Sequence, residues 1–244
     1  LSTGKLAAII GALEAIDHVR IIRLGSKIPA FNPYRIIDDS SLIELLDSRR
    51  RPGKQIYLMA HFNHPNELSR PALEALDMVR HAGVPIMNQT PVIRGVNDDS
   101  KTLAALFNKL SFNGVTPYYV FQCRPTRGNN HLAVPVERAY RIYEQAKMDV
   151  SGLAKMSRFV MSHTQGKIQM LGLTAEAAVF KLHRAADYSE KAKIMLYRRN
   201  PNAYWFDDYT QKIDDYQLDN PFFTPSRRRR ISTREDRFAF ETSE

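Results

Sequence analysis

The sequence predicts an α/β protein built as a partial (β/α) barrel, with its N-terminal units missing and a small β-rich appendage at its C-terminal end. Three observations carry that prediction. Helical and extended patterns alternate from residue 5 to about residue 165. Each extended run is continuously apolar, as strands of a parallel sheet covered on both faces are. The units recur every ~30–36 residues, a spacing that suits a (β/α) barrel, which closes with eight units where five are visible here.

The elements follow in order. Residues 5–16 read as a helix leading to "HVRIIRL" (18–24), and 39–48 as a helix leading to "QIYLMA" (55–60). Ser69 is an N-cap with Pro71 in the first turn, and Leu73, Leu76 and Val79 share one helical face before Gly83 stops it. "VPIMN" (84–88) comes next. Asp98 or Asp99 opens a helix with Leu103, Leu106, Phe107 and Leu110 at helical spacing, and Gly114 ends it before "TPYYVFQ" (116–122). A helix over 134–147 precedes "KMSRFVM" (155–161). After Gly166 the texture changes to short β-like stretches, "KIQMLGL", "AVFKLH", "KIMLYR" and "AYWF". The division expected is a barrel part over 1–167, a β-rich unit over 168–206 and a polar, flexible, Arg-rich tail over 207–244. The first helix starts almost at Leu1 with no strand before it, so the expectation is an N-terminal truncation.

Composition narrows the class. Apolar residues make up 43% and charged residues 25% of 244 residues, an ordinary globular balance. No apolar run approaches the ~20 residues of a membrane span, and the start lacks a signal-peptide pattern. The net charge is +9, which suggests phosphates as partners, but residues 227–237 alone hold six Arg. Charge is therefore weak evidence for nucleic acid, and none is expected. Cys123 is the single cysteine, which excludes an intrachain disulfide and fits a reducing cytoplasm. One thiol does not make an iron–sulfur or zinc site.

Polar residues collect where the strands should end. The first strand leads to Ser26 and Lys27, and the second to His61, Asn63, His64 and Glu67 in "HFNHPNE". The third leads to Asn88, Gln89 and Thr90, the fourth to Gln122, Cys123 and Arg124, and the fifth to Ser162, His163 and Lys167. In a parallel barrel these ends form one face, where chemistry sits. Singly, each has a plainer reading: loop histidines, turn asparagines, a surface lysine. Together they point to an active site. His61, His64 and Glu67 also read as ligands of a hydrolytic metal ion. The amides, Arg and Lys on neighbouring ends instead suit an anionic or phosphorylated ligand.

"HFNHPNE" (61–67), "NQTPVIRGVNDD" (88–99), "PYYVFQC" (117–123), "VSGLA" (150–154) and "GK" (166–167), in this order and spacing, resemble the lysine 2,3-aminomutase family of radical S-adenosylmethionine enzymes. The resemblance runs from about residue 16 to 170 and is looser beyond, although "YWFDD" fits some members. It implies a partial (β/α) barrel and an isomerase. A [4Fe–4S] cluster cleaves S-adenosyl-L-methionine to a radical, and pyridoxal phosphate on a lysine carries the migrating amino group. It further implies that His61, Asn63 and Gln89 lie on the S-adenosylmethionine side. It likewise implies that Lys167 is the pyridoxal lysine and catalytic residue, with Tyr118 and Tyr119 near the pyridine ring.

Three departures from the family pattern shape the expectation. The family's three cluster cysteines lie upstream of the matching region, so the cluster ligands are expected outside this chain. Lysine-specific members carry an Asp where Arg124 stands and a second Asp where Ser162 stands. Exchange of two anions for Arg and Ser should reject a diamino acid and favour an acidic amino acid. The glycine-rich run before the pyridoxal lysine is "SHTQGK" (162–167) here. The alternatives are a non-catalytic relative acting as a binding module, and the metal-dependent hydrolase on His61 and His64. The expected partner is a small-molecule amino acid substrate, with no membrane and with room for a homo-oligomer.

Overall fold

The computed structural model describes residues 1–49 and 51–217. Its strands form one sheet that follows chain order from β1 to β9. β1 (Ile21–Ser26), β2 (Gln55–Ala60), β3 (Ile86–Pro91), β4 (Thr116–Phe121) and β5 (Arg158–His163) are parallel. β6 (Gly166–Leu173), β7 (Ala177–Ala185), β8 (Ile194–Arg198) and β9 (Lys212–Tyr216) continue the same sheet antiparallel. The five parallel strands stand in sequential order, each joined to the next by a helical connection. A doubly wound sheet, by contrast, reverses its strand order at a switch point, and this sheet has no such reversal among its parallel strands. β1 and β9 are its edges among the described residues.

The helices form where their caps and apolar stripes dictate. They are α1 (Thr3–Glu14), α2 (Ile28–Phe31), α3 (Tyr34–Ile37), α4 (Ser40–Asp47), α5 (Arg70–His81), α6 (Ser100–Phe112) and α7 (Val136–Met148). The Ser69 side chain accepts from the Ala72 amide, and Ala72, Ala75, Leu76 and Val79 of α5 are buried. Asp99, not Asp98, caps α6 by accepting from Thr102 N. Gly83 and Gly114 follow with φ of 75° and 70°, the left-handed turn that ends a helix. These stripes pack on Ile22, Ile56, Leu58, Val120 and Phe159 in one continuous core. The opposite sheet face carries the alternate residues, among them Arg23, Gln89 and Tyr119.

Several boundaries differ from the sequence expectation. The first strand is Ile21–Ser26 rather than 18–24, because it pairs residue for residue with Gln55–Ala60. The third runs on to Pro91, and the fifth is Arg158–His163 rather than 155–161. The β-like reading of "AYWF" fails: Phe206–Asp208 is a 3-10 turn, capped by Asp208 accepting from Tyr204 N and Trp205 N. Lys212–Tyr216 of the expected flexible tail is strand β9, paired with β8. The Arg-rich stretch over 227–237 lies outside the described residues. Among the described residues, no helix is long and apolar enough to cross a membrane.

Candidate active site

Lys167 stands on β6 opposite Ser162 of β5 and Arg184 of β7. The residue before it must be glycine. Gly166 has φ +128°, and a Cβ there would lie 1.9 Å from the Arg184 carbonyl oxygen. The Lys167 amine rests on an aromatic floor, 4.2 Å from the Tyr119 ring centre and 4.8 Å from that of Phe121.

Two bulges aim that floor and its neighbours. Asn88 pairs with Pro117 but Gln89 pairs with Tyr119, so Tyr118 is an extra residue in β4. The rings of Tyr118 and Tyr119 consequently lie side by side, 4.0 Å between centres. Likewise Lys167 pairs with Arg184 but Ile168 with Leu182, which makes His183 an extra residue in β7. The His183 Nε2 lies 3.1 Å from the Tyr119 hydroxyl.

The electrostatics of this cluster are one-sided. Burial pushes the Lys167 ammonium below its ordinary value, and the nearby Arg23 and Arg184 push the same way. His183 is lowered by burial and then by Arg158, Lys167 and Lys181. Tyr119 is pushed up to about 12, first by burial and then by its hydrogen bond with Tyr118. Tyr119 therefore holds its phenol proton more tightly than a free tyrosine, and its hydroxyl shares a hydrogen bond with the His183 ring. A depressed lysine, a protonated phenol and several guanidinium or ammonium groups give the cluster a net positive character that favours anions.

"HFNHPNE" does something different. Glu67 folds back so that its carboxylate accepts from Asn63 N at 2.5 Å and His64 N at 3.4 Å, and it pairs with Lys27 at 2.7 Å. The His64 Nδ1 accepts from Asn66 N. Lys27 also donates to the His61 carbonyl. The Asn63 side chain accepts from Thr90, and Asn97 donates to the Asn63 carbonyl. The heptapeptide is thus a closed, capped loop at the end of β2. Its two best ligand candidates, His64 and Glu67, are turned into the loop's own backbone. Among the described residues, no group of three or more His, Cys, Asp or Glu side chains comes together as a metal site. The metal-hydrolase reading is corrected accordingly. His61 is half-buried and lies below its ordinary value, through burial and then Lys27.

Lys167, Tyr118, Tyr119, Gln89 and Ser162 therefore share one region, with Gln89 opposite Tyr119 and Ser162 opposite Lys167. His61 and Asn63 follow β2, the strand next to the one that carries Gln89. Arg124 stands in an exposed loop after β4, where the Asn129 side chain holds its carbonyl. Gln122 is buried and ties the end of β4 to the carbonyls of Val134 and Tyr204. Sequence reasoning missed Phe121, His183, Arg23 and Arg184. Arg184 and His183 arrive through the pairing of β7 with β6, and Arg23 acts across the sheet as a nearby charge; Phe121, two residues beyond Tyr119 on β4, was signalled by strand alternation.

No family model matches the chain. A protein of Aquifex aeolicus (strain VF5) named "Putative L-lysine 2,3-aminomutase" is 50% identical over 89% of this chain and 58% of its own length. An L-lysine 2,3-aminomutase of Fusobacterium nucleatum is 38% identical over 63% of this chain and 35% of its own length. A glutamate 2,3-aminomutase of Clostridioides difficile (strain 630) is 32% identical over 63% of this chain and 35% of its own. The chain thus spans between about a third and three fifths of the relatives it matches. With its motifs in order, its sequential parallel strands and these relatives, the chain belongs to the lysine 2,3-aminomutase family of radical S-adenosylmethionine enzymes.

Proposed function

We propose that this chain carries the pyridoxal phosphate and substrate side of an amino acid 2,3-aminomutase whose substrate is an acidic amino acid rather than lysine. The observation that carries the first half is Lys167: a lysine held below its ordinary value on an aromatic floor among Arg23 and Arg184. A deprotonated amine is what covalent capture of a carbonyl cofactor requires. The surrounding cations fit the cofactor's phosphate, and the rings of Tyr119 and Phe121 fit its flat pyridine. When bound, pyridoxal phosphate would supply the carrier for the migrating amino group. The chain's own residues would bind and orient: Tyr118 and Tyr119 pack the ring, and the hydrogen bond with His183 holds the Tyr119 hydroxyl in place.

His61, Asn63 and Gln89 are proposed to line the S-adenosylmethionine side. A neutral imidazole and amides suit a zwitterionic ligand without adding charge. The residues present do not fit the iron–sulfur cluster, since Cys123 is the single cysteine, and burial raises its thiol above the ordinary value. Cluster ligands are proposed to come from outside these 244 residues.

The substrate reading rests on Arg124 and Ser162. An exposed guanidinium and a hydroxyl offer a carboxylate two kinds of donor, and they offer an ammonium group no counter-anion. A relative named glutamate 2,3-aminomutase supports an acidic substrate within reach of the family. The test is a pyridoxal phosphate titration with Lys167→Ala as control. A near-ultraviolet to visible band, trapped by borohydride on Lys167 and absent from the variant, supports the reading. Its absence from the parent protein defeats it. Arg124→Asp should then weaken glutamate binding and favour a diamino acid.

A further inference from the structure

We infer that the segment Tyr204–Asp208, the "YWFDD" string, is a latch that seats the Lys167 hairpin, with His163 as the positioning residue it grips. This rests on the reading that Lys167 is the working amine. The hairpin is short: His163 pairs with Gly166 and Ser162 with Lys167, with Thr164 and Gln165 left to turn. Any rotation of that turn moves Lys167 directly.

His163 is held on every side. Its side chain is 8% exposed although it sits at a hairpin tip. The Gln165 amide donates to its Nδ1 at 3.2 Å. That fixes the proton on Nε2, which donates to Asp207 Oδ1 at 2.9 Å. Its ring meets Phe206 edge-on at 5.6 Å. Phe206 is itself buried, among Phe180 of β7 at 5.2 Å and Tyr197 of β8 at 5.4 Å. One imidazole therefore fastens its own turn with one nitrogen and the latch with the other.

The latch is anchored at points independent of His163. The Tyr204 carbonyl accepts from Gln122 at the end of β4, and the Ala203 carbonyl accepts from Val136 N at the start of α7. Asp208 caps the segment's own turn, and Asn200 donates to the Asp208 carbonyl. Arg199, just before, grips Glu137 of α7 at 2.6 Å. So a single stretch ties the strand that supplies Tyr119 and Phe121 to the hairpin that supplies Lys167. The relative position of amine and aromatic floor is what such a tie sets. A latch that failed would admit water beneath the amine and restore its ordinary proton affinity.

The experiment reads Lys167 without any cofactor. The rate of reductive methylation of Lys167 by formaldehyde and borohydride is followed against pH by mass spectrometry, in the full chain. His163→Phe keeps the ring against Phe206 but removes both hydrogen bonds. It should lower the Lys167 rate at neutral pH by about fivefold and shift its pH profile upward. Amide hydrogen exchange of residues 164–167 should quicken in the same variant. Asp207→Ala should change both in the same direction by less, because Asp207 is 69% exposed, and Asp207→Asn should restore the parent profile. Asp215→Ala, on the β9 edge, is the control and should leave Lys167 alone. The latch is overturned if His163→Phe folds and keeps the parent pH profile, or if Asp207→Ala does so where His163→Phe does not fold. A parent protein whose Lys167 titrates as an ordinary lysine defeats the proposed role of Lys167 instead.

Discussion

The Lys167 amine lies 4.2 Å from the centre of the Tyr119 ring, and the hydroxyl of that same ring is hydrogen-bonded to His183 at 3.1 Å. Two opposed effects meet at the amine. The ring faces favour an ammonium, by about 0.5–2 kcal/mol for such contacts. Burial, then Arg23 and Arg184, favour the neutral amine, and the net direction is downward. The cluster holds a lysine that gives up its proton more readily than a surface one.

Stability should report this. A lysine lowered from 10.5 in the folded chain binds fewer protons than the unfolded chain between the lowered value and 10.5. Folding is therefore penalised below that window and relieved as pH rises through it. Lys167→Met should be more stable than the parent at neutral pH, with the difference shrinking toward pH 10.5. Urea unfolding at several pH values measures it. A difference that does not depend on pH would count against a lowered Lys167.

Gly166→Ala should be costly beyond its size. The new methyl would meet a backbone oxygen at 1.9 Å in a conformation with φ +128°. Strain of this kind costs about 1–3 kcal/mol, and the hairpin would open to relieve it. The expected result is a lower urea midpoint together with loss of the borohydride-trapped adduct on Lys167. Retention of both would mean that the hairpin has slack.

Glu137 of α7 is 1% exposed at its side chain and is matched by Arg199 and by the Asn200 amide. Arg199→Met should destabilise by about 3 kcal/mol, since a buried carboxylate loses its partner. The double variant Arg199→Met/Glu137→Leu should recover most of that loss. A calorimetric or urea comparison of the three proteins decides it, and failure of the double variant to recover would show that the carboxylate's bond to Asn200 matters more than the ion pair.

His61 should titrate below 6.5, through burial and then the charge of Lys27. The unfolded chain binds the proton first as pH falls, so the contribution of His61 to stability is whole above 6.5 and is lost as pH drops through the lowered value. Lys27→Met should move the His61 titration upward, which proton NMR of the ring reads directly. An unmoved titration would leave burial as the sole cause.

The alternation of helices and apolar strands was legible in the chain because caps and periodicity are local. Ser69, Asp99, Gly83 and Gly114 each act within a few residues, so their roles can be read without knowing the fold. The place of Lys167 after a glycine was legible for the same reason. The identity of the cluster around it was not. Tyr118 and His183 are extra residues in their strands, and a bulge is defined only against the partner strand's register. Tyr119 and His183 meet although they are 64 residues apart. "HFNHPNE" read as a set of ligands because its residue types fit that chemistry, yet a local capping box takes Glu67 and His64 onto the loop's own amides, a pattern the spacing itself allowed. Composition and spacing determined which residues reach the ends of the strands. Only the register of one strand on the next decided which of them touch, because that pairing is a property of two segments and appears in neither alone.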